Sequence, residues 1–223
     1  MQNTKAPGRR RRFLLRVALP TTLTIAALGI AWDSGWCSIR DRFLPRRFVA
    51  VIPGQLYRSG WIDARLVEDV LRDHGIGLVV DLTADAADSP DSPERAAERS
   101  AVRRLGIDYR SCPLRGDGTG DVEEYANAVA AIAHAQARGL PVLVHCAAGD
   151  KRSGGVVAAF LLLVGGATTD VARGEIGRFS KRGVPSETVL HYLDDHLAEI
   201  AERVRDEGCA LAPRSAPPPV LGG

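Results

Sequence analysis

The chain has no CxxC pair, no cysteine or histidine spacing suited to zinc, and no internal repeat. Its four cysteines, Cys37, Cys112, Cys146 and Cys209, are scattered, which argues against a disulfide framework. The five histidines show no ligand spacing, so metal-dependent hydrolysis is disfavoured. Charge is nearly balanced, with 29 Lys and Arg against 27 Asp and Glu, so bulk charge gives no reason to expect a nucleic-acid partner. What is there is a chain of 223 residues, enough for one domain of ordinary size with tails.

Residues 54–207 alternate strand-like with helix-like stretches, which predicts an α/β fold with a mostly parallel central sheet flanked by helices. Gln55 to Gly60 reads as a short edge strand and turn. Asp63 to His74 carries a helical apolar face with Asp63 as N-cap, and Ile76 to Leu82 reads as a buried strand. Pro93 to Leu105 is a helix with Pro93 near its start and Gly106 beyond its end. Its stripe Arg95, Arg99 and Arg103 is expected as a solvated face. Ile107 to Cys112 is a further strand, Cys112 reading as a core cysteine. The Gly-rich stretch 113–121 is a loop, followed by a helix from Val122 to Ala137 that turns Tyr125, Val129 and Ile132 inward. Helices are also expected at Thr168 to Phe179 and Pro185 to Val204.

The stretch that carries chemistry is His145-Cys146-Ala147-Ala148-Gly149-Asp150-Lys151-Arg152-Ser153-Gly154. It follows the apolar run Val142, Leu143 and Val144, a buried strand, and leads into the apolar run 156–164, a buried helix. A loop joining strand to helix in this way aims several backbone N–H groups at one point and forms an anion-binding concavity at a helix N-terminus. The same field favours a thiolate at Cys146. Arg152 offers a planar fork that matches two phosphate oxygens, and Gly149 can take the positive φ of a closed loop.

These residues resemble the His-Cys-x5-Arg-Ser/Thr signature loop of the protein tyrosine and dual-specificity phosphatases, and Tyr57-Arg58-Ser59-Gly60 resembles a segment near the start of small, atypical, bacterial-type members. The resemblance implies a phosphocysteine mechanism without metal or other cofactor. Cys146 would be the nucleophile, Arg152 would hold the phosphate oxygens, Ser153 would help the thiolate leave, and His145 would order the loop. Ala147, Ala148, Gly149, Asp150, Lys151 and Arg152 would surround the substrate phosphate. Arg58 would be buried against a strand-end carboxylate, with Asp81 as its candidate partner. The resemblance also implies a general acid on the loop upstream of the cysteine. Asp117 fits that place best; Asp121, which also reads as a helix N-cap, and Asp150 stay open as alternatives.

The expected function is phosphomonoester hydrolysis on a phosphorylated protein, with a small phosphate ester, inositol phosphate or phospholipid as the alternative substrate. A phospho-binding pseudophosphatase tethered to a membrane is the alternative from another class. Residues 1–12 form a basic tail, and 13–36 form an apolar segment near the ~20 residues that span a bilayer. That segment is expected as a transmembrane signal anchor, making this a single-pass protein of a bacterial cell membrane with the membrane as a partner through its N-terminal helix. Three readings stay open beside it: a cleaved signal peptide with Gly29-Ile30-Ala31 as the cleavage site, a twin-arginine export signal at Arg10-Arg11-Arg12, and a basic tail with a short apolar helix. Flanking charge leans toward an inside N-terminus, whereas an oxidisable thiolate suits a reducing compartment, so the side of the catalytic domain stays open. Residues 37–53 read as a linker and 208–223 as a Pro- and Ala-rich disordered tail.

Overall fold

A computed structural model describes residues 43–83, 92–213 and 221. Five strands form one sheet: β1 (Val49–Ile52), β2 (Leu56–Ser59), β3 (Leu78–Asp81), β4 (Asp108–Ser111) and β5 (Val142–His145), in the order β1-β2-β5-β3-β4. Only β1 and β2 pair antiparallel; the other neighbours are parallel. The helices are α1 (Val67–Asp73), α2 (Pro93–Leu105), α3 (Val122–Ala137), α4 (Lys151–Leu163), α5 (Thr169–Gly177) and α6 (Glu187–Asp206). This is the expected α/β class with a mixed, mostly parallel sheet.

The alternation of side chains along a strand divides the core in two. Leu56, Leu78, Val80, Val142 and Val144 face α3, α4 and α6, while Tyr57, Val79 and Leu143 face α1 and α2. Both faces are covered, so the central strands read as continuous apolar runs rather than alternating ones. From Arg152 onward helix α4 is buried, and α3 and α6 pack on it from outside.

Three local expectations change. Val49–Ile52, inside the stretch expected as a linker, forms an edge strand. β2, expected at an edge, is fully buried between β1 and β5. Asp63 does not cap α1, whose N-cap is Leu66 without a side-chain bond; its carboxylate instead accepts from the Arg65 N–H in a turn just before the helix.

The membrane expectation is also corrected. The segment 13–36 lies outside the described residues, and among the described residues no helix is long and apolar enough to cross a membrane. The transmembrane anchor, the membrane partner and the single-pass placement therefore have no support in this structure. Of the expected tail, residues 214–220, 222 and 223 also lie outside the described residues.

Candidate active site

The end of β5 delivers His145 and Cys146 into a loop that closes at the first turn of α4. Four successive carbonyls of this loop are bonded on its outer side. Ala147 O accepts from the Trp61 N–H at 3.1 Å, Ala148 O from Arg47 Nη1 at 3.0 Å, and Gly149 O and Asp150 O from Arg58 Nη2 at 3.2 and 2.9 Å. With the carbonyls held outward, the amides turn inward. The Gly149 N–H donates to Cys146 Sγ at 3.2 Å, and Ser153 Oγ lies 3.8 Å from the sulfur. Gly149 has φ of 73°, and a Cβ there would stand 2.3 Å from Gly60 N, so both its conformation and its close contact with the end of β2 require glycine.

Burial pushes the Cys146 thiol up. The N–H of Ser153, the Arg152 charge, and the N–H groups of Gly149 and Asp150 outweigh it and hold the thiol below its ordinary range. Arg152 is buried and donates from Nη1 to Leu82 O at 3.4 Å, which sets its guanidinium against the end of β3.

Arg58 is fully buried, as the resemblance implied, but its carboxylate partner is not Asp81. It pairs with Glu175 on α5 at 3.2 Å, and its guanidinium lies 5.1 Å from the centre of the Phe179 ring. Asp81 cannot serve it, because Asp81 is committed to the opposite side of the loop, as described below.

The three acid candidates separate. Asp121 caps α3, accepting from the Glu123 N–H at 2.9 Å. Asp150 directs its carboxylate toward Arg47, 3.5 Å away. Asp117 sits on the exposed Gly-rich loop and accepts from the N–H and O–H of Thr119 at 3.0 and 2.8 Å, which hold it below the usual carboxylate range. That loop is pressed against the signature loop: a Cβ on Gly118 would stand 3.0 Å from Lys151 Cβ. The buried Tyr125 hydroxyl bonds the Gly118 carbonyl and anchors the loop from α3. Lys151 itself is exposed.

The dual specificity phosphatase catalytic-domain model matches residues 56–193, more than half of the chain and all of this site but Arg47. The chain belongs to that family. It is a cysteine-dependent phosphatase of the protein tyrosine and dual-specificity superfamily. Among solved structures it is similar to Tk-PTP in a mutant form (25% identity, TM-score 0.53, covering 70% of this chain and 95% of that one). It is also similar to P. aeruginosa TpbA (21%, 0.52, 71% and 96%) and to PTPMT1 (19%, 0.54, 69% and 96%), two likenesses that speak to fold. No curated protein matches the chain.

Behind the cysteine, the phosphatase carries a buried ion network that sequence reasoning missed. Asp81, at the end of β3, accepts from the Thr83 N–H and O–H, the Tyr109 hydroxyl and Arg95 Nη2 at 2.8, 2.6, 2.5 and 3.3 Å. His145 Nε2 lies 3.1 Å from Glu98 Oε2 and 3.8 Å from Asp81 Oδ1. Arg95, expected on a solvated face, is therefore a buried partner of Asp81. The spacing of Asp81, Glu98 and His145 would suit a metal ion. The donors already on Asp81 and the Arg95 cation beside it fit an internal charge network instead. A signal was present in the sequence: Arg95, Glu98, Ala101 and Val102 share one helical face, the face α2 buries. Cys112 is a buried core residue whose thiol burial pushes up to about 12.

Proposed function

We propose that this phosphatase hydrolyses phosphomonoesters through a phosphocysteine, with protein phosphotyrosine and related phosphoprotein side chains as its substrate class. The observation that carries this reading is the cradle at Cys146, whose outward-bonded carbonyls leave inward amides and a depressed thiol at the N-terminus of α4. The same amides and the Arg152 fork suit the three non-bridging oxygens of a phosphoryl group, a dianion at a helix N-terminus.

Cys146 Sγ attacks phosphorus in line with the leaving oxygen; the S–P bond forms as the P–O bond breaks. Asp117 gives its proton to that oxygen, because an alkoxide or phenoxide leaves poorly without one, and such help is typically worth ~10²–10⁴ in rate. Asp117, now a carboxylate, takes a proton from water as the water oxygen attacks phosphorus. The S–P bond breaks and inorganic phosphate departs. Ser153 Oγ donates to the returning thiolate. Arg152 holds the equatorial oxygens through both steps.

A second substrate reading is favoured by charge: the cations Lys151 and Arg115 both act on Asp117, and from there they would meet the further phosphates of an inositol phosphate or phospholipid headgroup.

The test is metal-free hydrolysis of an aryl phosphate, a phosphotyrosyl peptide and a phosphoinositide by the full chain, beside Cys146→Ser and Asp117→Asn. Loss of activity in the first variant and a kcat lower by roughly 10²-fold or more in the second are expected. Full activity of Cys146→Ser would refute the mechanism. A kcat/KM for the phosphoinositide far above that for the peptide would replace the substrate assignment by the second reading.

A further inference from the structure

Glu98 lies in the middle of α2, far in sequence from the signature loop, yet it is buried and its Oε2 is 3.1 Å from His145 Nε2. His145 is the last residue of β5 and the residue before Cys146, and it too is buried. A buried imidazole prefers to be neutral, because burial penalises its charged form. Two carboxylates oppose that preference. Asp81, from β3, is the farther at 3.8 Å, and its oxygens already serve Thr83, Tyr109 and Arg95. Glu98 is the nearer of the two. Besides these two carboxylates, the Cys146 sulfur acts on His145; Arg95, on the same helix as Glu98, and the Tyr109 hydroxyl, on β4, join the network through Asp81.

We propose that Glu98 is a positioning residue of this phosphatase: its carboxylate holds His145 as a buried imidazolium, and that cation in turn favours the thiolate of Cys146. The coupling between His145 and Cys146 is mutual, so whatever the thiolate does to keep the imidazolium charged, the imidazolium returns to the thiolate. Burial pulls His145 down, and Glu98 and Asp81 lead the charges that carry it to about 9, so the ring is charged at acidic and neutral pH. Glu98 itself touches neither phosphate nor sulfur; it acts through His145. The proposal rests on Cys146 being the nucleophile.

The test reads Cys146 directly. The full chain and its Glu98→Gln and Glu98→Asp variants are alkylated with iodoacetamide from pH 4 to 9, and modification of the Cys146 peptide is followed by mass spectrometry. In Glu98→Gln the alkylation midpoint is expected to move up by about one pH unit, in line with removal of one buried charge at one remove. The acidic limb of kcat/KM for an aryl phosphate is expected to move with it. Glu98→Asp is expected to restore part of the shift, which a purely packing role would not do. A folded Glu98→Gln protein with the parental midpoint overturns the proposal, and so does an equal shift in Glu98→Asp and Glu98→Gln. Should Glu98→Gln fail to fold, the His145 ring is titrated by NMR in the parent chain. A pKa at or above 8 supports the proposal, and anything lower overturns it. Alkylation does not depend on turnover, so failure of the phosphocysteine mechanism, seen as hydrolysis by Cys146→Ser, is distinguishable from failure of the Glu98 assignment.

Discussion

At the scale of single residues, the site depends on protonation states set by a few near neighbours. In the proposed mechanism, the reactive form of the phosphatase needs Cys146 as thiolate and Asp117 as acid. The cradle depresses the cysteine, which extends activity to low pH. Thr119 depresses the aspartic acid, first through its N–H and then through its hydroxyl, which removes the acid form as pH rises. Activity on an aryl phosphate is therefore expected to peak in the acidic range and to fall on the alkaline side as Asp117 loses its proton. Thr119→Val removes the hydroxyl donor but keeps the amide. The carboxylate is then less favoured, its pKa rises toward the ordinary value, and the alkaline limb of kcat/KM moves to higher pH. A pH–rate profile of the variant checks this; an unmoved alkaline limb would remove Asp117 from the acid role. A second residue-scale prediction concerns Gly149. Any side chain there meets the backbone of Ser59 and Gly60 and needs a positive φ, so Gly149→Ala is expected to lower kcat/KM on an aryl phosphate by more than 10-fold, since misplacing reacting groups by ~1 Å can cost about 10²-fold. Steady-state kinetics beside circular dichroism separates this from unfolding.

At the scale of elements, α3 offers a clean separation between capping and catalysis. Asp121 accepts from the Glu123 N–H as the N-cap of α3, while Asp117 stands four residues earlier on the loop. Asp121→Ala is expected to cost about 1 kcal/mol in stability by urea denaturation and to leave kcat near the parental value. A kcat collapse in that variant would reverse the two roles. The contrast also shows what was legible in the sequence. The ends of α2 were readable because Pro93 and Gly106 act within a turn of themselves, and the signature loop was readable because strand, loop and helix are contiguous. The interior place of β2 was not readable, because its neighbours β1 and β5 are a pairing choice made across the chain, and β1 lay in a basic stretch without strong periodicity. The partner of Arg58 was missed for the same reason: Glu175 comes from α5, which packs against α4 and meets Arg58 only through tertiary contact. The sequence reading put Arg95 on a solvated face and did not single out Glu98, because charge on a helix is ordinarily solvated. Their burial follows from the ends of β3 and β5, where Asp81 and His145 supply charges to match.

At the scale of the whole molecule, the network joining β3, β4, β5 and α2 makes stability depend on pH, and the sign can be worked out group by group. Asp81 has its folded pKa carried down to about 2: burial opposes this, but His145, Thr83 and Tyr109 prevail. Its contribution is present above the ordinary value of 3.8 and is lost as pH falls through about 2. His145 has its folded pKa raised to about 9, so its contribution is complete below its ordinary 6.5 and is lost as pH rises through about 9. The two overlap between the ordinary values of 3.8 and 6.5. Cys146 works against the alkaline loss, since a depressed thiol adds stability as pH climbs toward the ordinary thiol range. The Cys146→Ser protein removes that opposing gain and is the right background for the measurement. In it, the urea midpoint is expected to be highest near pH 5 to 6 and to decline steadily from pH 7 to 10. Adding Glu98→Gln should lower the midpoint most at pH 6 and least at pH 10, because at pH 10 His145 is neutral in both proteins and the lost carboxylate no longer has a cation to hold. A penalty for Glu98→Gln that is the same at pH 6 and pH 10 would mean that Glu98 contributes by packing alone, and that the charge on His145 is not what ties α2 to the end of β5.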